Sequence, residues 1–494
     1  MTASKLNSSE QDLLDRVPKQ LLINGKWCDG ALGTLPVEDP STGETLAEVA
    51  DGSVDDALAA LTAADEAFQT WRRTAPRERA DILRRVFDTI TARTDELAVL
   101  MTLEMGKPIA ESKAEITYAA AFVRWYSEEA VRIDGRSTRH EAGTARVLTQ
   151  REPVGPCVFI TPWNFPMAMG TRKIAPAVAA GCTVVVKPAK ATPLSMLALA
   201  EIFQEAGLPD GVLNVITAKS SGSVMEPLIR DPRTRKLSFT GSTAIGQKLI
   251  EQSAEQVLRV SMELGGNAPF LVLEGADVDA AVDGAVVAKM RNGGEACTAA
   301  NRFHVHESVA AEFGEKLAAK IGAMKVGRGT EDGTQVGPLI DESQRSIVAE
   351  LVEDAVAKGA ECLTGGARVD GAGYFYKPTV LTNVSADARV LSEEIFGPVA
   401  PIATFKTDDE AIAAANDTEY GLVAYVYCKD LDRALYVADR LDTGMIGLNQ
   451  GLVSYAGAPF GGIKASGYGR EGGPEGLDEY LEHKYIAIAN PSAS

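Results

Sequence analysis

A single cysteine stands in the glycine-rich stretch RNGGEACTAANR, at position 297. The stretch holds no second cysteine, histidine or acidic pair at the spacing of a metal site. Most isolated cysteines are inert, buried side chains. A catalytic cysteine attacks as the thiolate, and an unperturbed thiol titrates near about 8.5, so it needs a base or a positive environment. The chemistry of Cys297 therefore depends on its neighbours in the fold.

Two kinds of base could serve the Cys297 thiol. Glu263 ends the predicted strand VLRVSME and precedes two glycines. A carboxylate at the carboxyl end of a parallel strand lies where α/β sheets bind ligands, and glycines permit close approach of backbone or cofactor. A solvated glutamate at the sheet edge is the alternative. The other base is a histidine, as in a cysteine hydrolase, and the candidates are His140, His304, His306 and His483.

Eight segments in chain order carry a resemblance to a known family: FITPWNFP, GCTVVVKPAKATP, GLPDGVLNV, FTGSTAIG, MELGGNAPF, GEACTAANR, EEIFGPV and PFGGIKASGYGREGG. Together they are similar to the aldehyde dehydrogenase superfamily, over nearly the whole chain. The resemblance implies that Cys297 adds to an aldehyde carbonyl, giving a thiohemiacetal. Hydride transfer to nicotinamide would leave a thioester, and Glu263 would activate the water that hydrolyses it.

The resemblance also implies a site for the oxyanion of the tetrahedral species. Asn164 follows the predicted strand VGPCVFIT and would supply a side-chain donor, with the Cys297 main-chain N–H as the second donor. A tight turn packed by two aromatic residues is the alternative for this segment.

The cofactor residues follow in part from the residues and in part from the resemblance. The segment FTGSTAIG does not match the GxGxxG fingerprint, but Gly241, Ser242 and Gly246 lie between a strand and a helix, whose N-terminus can hold pyrophosphate. Lys190 stands where NAD-preferring relatives often carry glutamate. An ammonium attracts a 2′-phosphate, so we expect NADP to be favoured over NAD, with tolerance of both as the alternative. The resemblance further implies Thr161, Pro162, Trp163, Phe396, Lys187 at the adenine ribose and Glu394 at the nicotinamide ribose.

Within the superfamily, the longer motifs resemble enzymes that oxidise succinate semialdehyde. A distal carboxylate needs cations in an apolar channel, and arginine binds it through two parallel hydrogen bonds. The matching residues are Arg172, Arg291 and Ser454. Arg172 lies a little over two helical turns beyond Asn164, which predicts a shared helical face. Another ω-semialdehyde such as glutarate semialdehyde, a broad range of aldehydes, or a non-catalytic dinucleotide-binding relative are the alternatives.

Hydrophobic periodicity predicts the elements that position these residues. The first 50 residues read as strand and turn, with a hairpin at Asn24-Gly25. A helical stretch follows from Ser53, with Asp56 at capping-box spacing, to about Ile133. Two series of short apolar runs alternate with helical patterns or turns, on either side of residues 264–266. This alternation predicts an α/β fold with a doubly wound parallel sheet.

The predicted domains combine these series with the resemblance. Residues 1–131 and 153–264 form a cofactor-binding domain, and residues 265–457 form an α/β catalytic domain. Residues 132–152 and 458–494 form a small β oligomerisation element with the C-terminal segment, and the tail strand EYLEHKYIAIA is expected to add to a neighbour's sheet. The resemblance implies a homodimer or a homotetramer.

Composition bounds the partners and the compartment. A net charge of −19 argues against nucleic acid or an anionic membrane as the main partner. The six cysteines lie far apart without CxxC spacing, which indicates neither a disulfide framework nor structural zinc. The first residues show no signal-peptide pattern, and no apolar run is long enough to span a bilayer. The expected location is cytoplasmic, with a small-molecule aldehyde as the partner.

Overall fold

Two large, mostly parallel sheets and two small antiparallel sheets organise the chain. The computed structural model describes residues 6–489, and among these residues no helix has the length and apolarity needed to cross a membrane. The helices are α1 (Ser8–Arg16), α2 (Val54–Trp71), α3 (Pro76–Ala92), α4 (Thr94–Met105), α5 (Ile109–Glu129), α6 (Ala168–Ala180), α7 (Leu194–Glu205), α8 (Ser221–Arg230), α9 (Thr243–Ser253), α10 (Val278–Met290), α11 (Ala310–Gly322), α12 (Glu342–Ala357), α13 (Asp408–Asn416), α14 (Leu431–Ala438) and α15 (Gly473–Asp478). The strands are β1 (Leu21–Ile23), β2 (Lys26–Cys28), β3 (Thr34–Asp39), β4 (Glu44–Ala50), β5 (Arg136–Arg139), β6 (Ala145–Pro153), β7 (Pro156–Ile160), β8 (Thr183–Lys187), β9 (Leu213–Val215), β10 (Lys236–Thr240), β11 (Arg259–Glu263), β12 (Ala268–Val272), β13 (Ala300–His306), β14 (Glu361–Thr364), β15 (Thr379–Thr382), β16 (Val399–Phe405), β17 (Val423–Tyr427), β18 (Met445–Leu448), β19 (Gly467–Tyr468) and β20 (Leu481–Ala489).

The first sheet carries the series of apolar runs that precedes residues 264–266. Its order is β19-β11-β10-β7-β8-β9-β1-β2, and β11, β10, β7, β8 and β9 are parallel to their neighbours in this series. Every residue of β8 and β10 is buried, because helices cover both faces of such a sheet. The doubly wound parallel sheet is therefore confirmed, and its carboxyl edge holds Ile160, Lys187, Thr240 and Glu263.

The second sheet has the order β14-β15-β16-β13-β12-β17-β18. All its pairs are parallel except the antiparallel edge pair of β14 and β15. Aromatic rings at Phe270, Phe303, Phe313, Tyr425 and Tyr427 pack in its core, with centroids 5.0–6.3 Å from that of Phe270. The residues between β11 and β12 join the two sheets, at the position predicted for the change of series.

The small third sheet has the order β20-β6-β5. The first segment of the predicted β element forms β5 and β6. The tail forms β20, which pairs antiparallel with β6 along nine residue pairs, from Leu481↔Pro153 to Ala489↔Ala145. One edge of the tail strand thus pairs within its own chain, and addition of the other edge to a neighbour stays a prediction. Gly467–Tyr468, which the sequence grouped with this element, instead pairs with β11 of the first sheet. Residues 1–5 and 490–494 of the predicted segments lie outside the described residues.

The N-terminal region contains one prediction that is wrong. The hairpin forms as predicted, with Ile23 opposite Lys26 and positive φ at Asn24 and Gly25, and the Ser53–Asp56 capping box is present at α2. The residues predicted as strand and turn, however, include helix α1. Asn7 and Glu10 form a capping box at its start, a local signal that the strand-and-turn prediction overlooked.

Candidate active site

One cavity of about 270 Å³ brings the predicted catalytic residues together. Cys297, Glu263 and Asn164 all line it, together with residues predicted for the cofactor. Glu263 is the last residue of β11, Asn164 lies between β7 and α6, and Cys297 lies between α10 and β13. The cavity therefore opens where the carboxyl edge of the first sheet meets the second, as expected for an α/β ligand site.

Hydrogen bonds tie the cysteine loop directly to Asn164. The Asn164 side chain donates through Nδ2 to the main-chain oxygen of Glu295 at 3.0 Å. Asn292 donates through its own Nδ2 to the same oxygen at 2.9 Å and to the main-chain oxygen of Asn164 at 3.0 Å. The carboxamide of Asn164 keeps a second N–H, since an amide nitrogen carries two donors. The arrangement can therefore hold an oxyanion beside the thiol.

Glycines permit the close approach of the segments around Cys297. A Cβ on Gly266 would lie 2.6 Å from the main-chain oxygen of Cys297. Gly294 has φ +80°, and a Cβ there would lie 2.2 Å from the oxygen of Gly397. Neither contact accommodates a larger residue, so the glycines beside Glu263 and before Cys297 have the spatial role the sequence analysis gave them.

The Glu263 carboxyl is almost fully buried, with 4% of the residue exposed. Burial raises its pKa well above the ordinary value, and the nearby Glu471 adds to the increase. Its Oε2 atom has no hydrogen-bond partner among the residues that the structure describes. A raised pKa makes the carboxylate a stronger base, and its vacant oxygen can accept a proton from water.

The Cys297 thiol is partly exposed to the cavity. Loss of solvation raises its pKa to about 12; Arg172 and Arg291 act in the opposite direction, while Glu263 and Glu394 raise the pKa further. The thiol is therefore protonated at neutral pH, and a base must remove its proton before or during attack.

No histidine lines this cavity, so the structure gives no support to the hydrolase alternative. His304 and His306 lie on β13, and His483 lies on β20 of the small sheet. His304 is buried, and burial lowers its pKa to about 3. The ionisable side chains that line the cavity with Cys297 are those of Glu263 and Glu394.

Most of the residues predicted for the cofactor line the same cavity: Pro162, Trp163, Gly241, Ser242, Glu394 and Phe396. The Trp163 and Phe396 rings meet edge to face, with centroids 5.4 Å apart. Phe396 has φ +50°, a conformation that is strained for a bulky residue and is found at functional sites. Glu394 accepts from the Gly266 N–H through Oε1 at 3.1 Å. Ser242 caps α9 without using its side chain, which stays available to a ligand.

The remaining cofactor predictions lie beyond the cavity lining. Lys187 ends β8 and is buried, and its main-chain oxygen accepts from the Thr161 N–H at 3.2 Å. Burial and then the charge of Lys190 lower the Lys187 pKa to about 8, and Lys190 is exposed. Gly246 is buried, and a Cβ there would lie 2.4 Å from Leu264 Cδ2, so the glycine permits the close packing of α9; its role at the cofactor stays a prediction.

The two predicted substrate arginines lie near the thiol. The Arg291 guanidinium lies over the rings of Phe165 and Tyr118, at 4.8 and 5.5 Å from their centroids. Arg172 is buried over the Phe460 ring at 3.9 Å. Both arginines are close enough to Cys297 to lower its pKa. Both guanidinium groups therefore act on the charge of the thiol, although neither is among the described residues that line the cavity.

Two details of the substrate prediction change. The prediction that Asn164 and Arg172 share a helical face is wrong, because α6 begins at Ala168 and Asn164 precedes it. Ser454 is buried in the segment between β18 and β19, but no described hydrogen bond joins its hydroxyl to either arginine.

Several buried charges near the site were missed from the sequence. Glu471 pairs with Arg172 at 2.6 Å and with Lys173 at 2.5 Å, and Lys107 pairs with Glu115 at 2.6 Å. Every residue of α6 is buried, so two adjacent cations in that apolar helix were the available signal. Their partners come from distant parts of the chain and carry no local pattern.

The match to known proteins agrees with this geometry. The aldehyde dehydrogenase family model matches residues 27–486. A succinate-semialdehyde dehydrogenase of Paenarthrobacter nicotinovorans is 57% identical over 446 residues, covering 90% of this chain and 99% of that protein. A glutarate-semialdehyde dehydrogenase of Pseudomonas putida is 49% identical over 472 residues, covering 95% and 98%.

Solved structures show the same fold. The crystal structure of an NADP-dependent enzyme of E. coli superposes with a TM-score of 0.95 at 48% identity, covering 98% of this chain and 100% of that one. Betaine aldehyde dehydrogenase of Staphylococcus aureus in complex with NAD+ gives a TM-score of 0.95 at 34% identity, covering 98% of each chain. With the thiol, carboxyl and carboxamide in one cavity, these findings establish that the chain belongs to the aldehyde dehydrogenase family.

Proposed function

We propose that this chain oxidises succinate semialdehyde to succinate, with NADP favoured over NAD as the hydride acceptor. The observation that carries the proposal is the convergence of Cys297, Glu263 and Asn164 on one cavity that the cofactor residues also line. The substrate class rests on the two arginines beside the thiol and on the name of the 57% identical relative.

The residues of the chain divide the reaction between them. The Cys297 thiol gives its proton to solvent water, and its sulfur bonds to the aldehyde carbon. The Asn164 Nδ2–H and the Cys297 main-chain N–H donate to the resulting oxyanion. Held by the residues predicted for the cofactor, NADP would supply the hydride acceptor for that carbon, which would leave a thioester on Cys297. Glu263 then accepts a proton from the water that attacks the thioester, which releases the carboxylate and the thiol.

The residues around the cavity fit a dinucleotide. Ser242 and the N-terminus of α9 offer donors for phosphate, and Glu394 and Phe396 line the same cavity as Ser242 and Cys297. Lys187 and the exposed Lys190 place two cations together, since the charge of Lys190 lowers the pKa of Lys187. A 2′-phosphate would relieve this repulsion, which favours NADP.

The distal carboxylate of the substrate is assigned to Arg291, assisted by Arg172 and Ser454. Arg291 forms none of the ion pairs described within residues 6–489, so its guanidinium is available for a bidentate bond. Arg172 is paired through Nε with Glu471, but its buried Nη2 has no hydrogen-bond partner among the described residues. Unpaired buried donors of this kind favour an anionic ligand.

Glutarate semialdehyde is the second candidate substrate, because a relative named for it is 49% identical to this chain. The two aldehydes differ by one methylene, which is worth only about 1–3 kcal/mol in a hydrophobic pocket. Chain-length kinetics therefore decide between them.

The decisive experiment measures initial rates over a panel of aldehydes with each cofactor. The panel contains succinate semialdehyde, glutarate semialdehyde, and neutral butanal and pentanal of matched length. We expect the highest kcat/KM for succinate semialdehyde with NADP. A higher value for glutarate semialdehyde would transfer the assignment to that substrate, and equal values for acidic and neutral aldehydes would contradict the anion site.

We also infer that the chain forms a homodimer or homotetramer in the cytoplasm. The support is the three-stranded sheet, in which β20 is a terminal strand that carries the exposed side chains Tyr485 and Ile488. Light scattering of the eluting protein distinguishes the two assemblies, and a monomer would contradict the inference.

A further inference from the structure

The buried ammonium group of Lys107 contacts the main chain of Asn164, the residue assigned to the oxyanion. Lys107, in the turn between α4 and α5, is 2% exposed. Its Nζ donates to the main-chain oxygen of Asn164 at 2.7 Å and lies 4.2 Å from the centre of the Phe165 ring. A charged side chain thus donates a hydrogen bond to the main chain of Asn164.

Hydrogen bonds also fix Glu115, the carboxylate that pairs with Lys107. Glu115 accepts from Lys107 Nζ through Oε2 at 2.6 Å. Its Oε1 accepts from the main-chain N–H groups of Met167 and Ala168 at 3.0 and 3.1 Å, at the start of α6. The ion pair therefore joins α5 to the whole segment that carries Asn164.

Burying two charges costs free energy that their attraction only partly offsets. Glu115 is 1% exposed, so the pair receives little help from solvent. Two apolar side chains would fill this volume without that cost. The ion pair is thus better explained by how it positions neighbouring residues than by a contribution to the stability of the fold.

The position it imposes is that of the oxyanion donor. The Asn164 oxygen accepts from Lys107 and from Asn292, while the Asn164 side chain donates to Glu295 two residues before Cys297. With the main-chain oxygen and one Nδ2–H both engaged, the direction of the second Nδ2–H is set.

We propose that Lys107, held by Glu115, is a positioning residue that aims the Asn164 carboxamide at the oxyanion. The inference rests on the proposed aldehyde oxidation and assigns no contact between Lys107 and substrate. A displacement of about 1 Å in such a donor is enough to lose most of its effect on the transition state.

The test separates position from stability with two variants. Lys107→Met removes the donor but leaves the Glu115 carboxylate buried without its cation, so this variant is expected to have a lower Tm. Lys107→Met/Glu115→Gln removes both charges, while the glutamine oxygen still accepts from Met167 and Ala168. We expect the double variant to regain most of the Tm but to keep a kcat about ten- to a hundredfold below the parent, with KM for aldehyde and cofactor within about threefold. Recovery of kcat together with Tm would overturn the proposal.

A second arm asks whether the effect passes through Asn164. The double substitution Lys107→Met/Glu115→Gln is made in the parent and in an Asn164→Ala background. The rate of NADPH formation in a single turnover is measured with and without it in each background. We expect the double substitution to lower the rate in the parent but to have little further effect in Asn164→Ala, because that background lacks the carboxamide that Lys107 positions. Equal factors in both backgrounds would contradict a positioning role.

A matched control uses Lys113, which lies on α5 but is exposed and pairs with Asp95 at 2.7 Å. Lys113→Met is expected to leave Tm and kcat unchanged. The parent rate with the aldehyde panel tests the proposed function, whereas the ratios between variants test the role of Lys107, so the two failures are distinct.

Discussion

The Asn164 side chain donates to the main-chain oxygen of Glu295 at 3.0 Å, although 131 positions separate the two residues. One residue follows a strand of the first sheet, and the other lies in the loop that leads to Cys297 in the second. This bond joins the loop of Cys297, the proposed nucleophile, to Asn164, the proposed oxyanion donor, across the junction of the two sheets. The site is therefore sensitive to changes on either side of that junction.

Replacement of Cys297 by serine should abolish dehydrogenation, because an alcohol is a far weaker nucleophile at neutral pH. We expect kcat to fall by at least about a thousandfold, measured as NADPH formation. In the parent, alkylation of Cys297 by iodoacetamide should accelerate about tenfold per pH unit between pH 7 and 9, because a thiol pKa of about 12 leaves little thiolate in that range. Peptide mass spectrometry distinguishes Cys297 from the exposed Cys362. Undiminished dehydrogenation by Cys297→Ser would remove the basis of the proposed function.

Glu263→Gln should separate the two halves of the reaction. Glutamine cannot accept the proton of the attacking water, so the thioester forms but is hydrolysed about 10²–10⁴-fold more slowly. Rapid mixing should show one equivalent of NADPH per site, followed by a very slow steady state. Loss of the initial burst as well would assign Glu263 to attack by the thiol rather than to hydrolysis.

The pH dependence of the second step follows from the raised pKa of Glu263. The carboxyl is neutral below its pKa and cannot act as a base there, so hydrolysis should rise with pH and level off above that pKa. This rise should be absent in Glu263→Gln, and its persistence would point to another titrating group.

Arg291→Ala should discriminate between acidic and neutral aldehydes. A charge-assisted hydrogen bond is worth about 1.5–3 kcal/mol, so KM for succinate semialdehyde should rise about ten- to a hundredfold. KM for butanal should change by much less, since it has no carboxylate. Arg291→Lys, which keeps the charge but loses the bidentate geometry, should lie between the parent and alanine. Equal increases for both aldehydes would argue against the anion site.

Lys190→Gln should reduce the preference for NADP. We expect KM for NADP to rise about tenfold or more, with KM for NAD little changed, because only NADP carries the 2′-phosphate. A parallel increase for both cofactors would indicate a general structural effect instead.

The same pair of lysines predicts a pH effect. Lys187 has a pKa near 8, so its ammonium is present below that pH and is lost above it. Affinity for NADP should therefore decline above pH 8 in the parent. Removal of the like charge in Lys190→Gln should raise the Lys187 pKa and move the decline to higher pH. A decline at the same pH in both proteins would show that another group titrates.

The sequence predicted the parallel strands well because each is a short apolar run between turns, and full burial on both faces requires such runs. β8 and β10 illustrate this, since every residue in each is buried. Residues at strand ends, such as Glu263, could be placed in the site for the same reason. Helix α1 was missed because its apolar residues are few, with Leu13 and Leu14 as its buried hydrophobic contacts.

Other features depended on contacts between distant segments. Glu471 meets Arg172 and Lys173 only through the folding of the C-terminal region onto α6, and no local pattern records that contact. The pairing of β20 with β6 joins segments more than 300 positions apart, as in Lys484 with Glu152. Strand order of this kind follows from three-dimensional packing, which periodicity does not encode.

The antiparallel pairing of Gly467–Tyr468 with Met262 and Glu263 has a consequence for synthesis on the ribosome. A nascent chain whose proposed cofactor-binding residues and Cys297 have already emerged from the ribosome still lacks β19, the strand that borders Glu263. Catalytic competence must then arrive at a late stage of translation, when the residues near 470 leave the exit tunnel and close the edge of the first sheet.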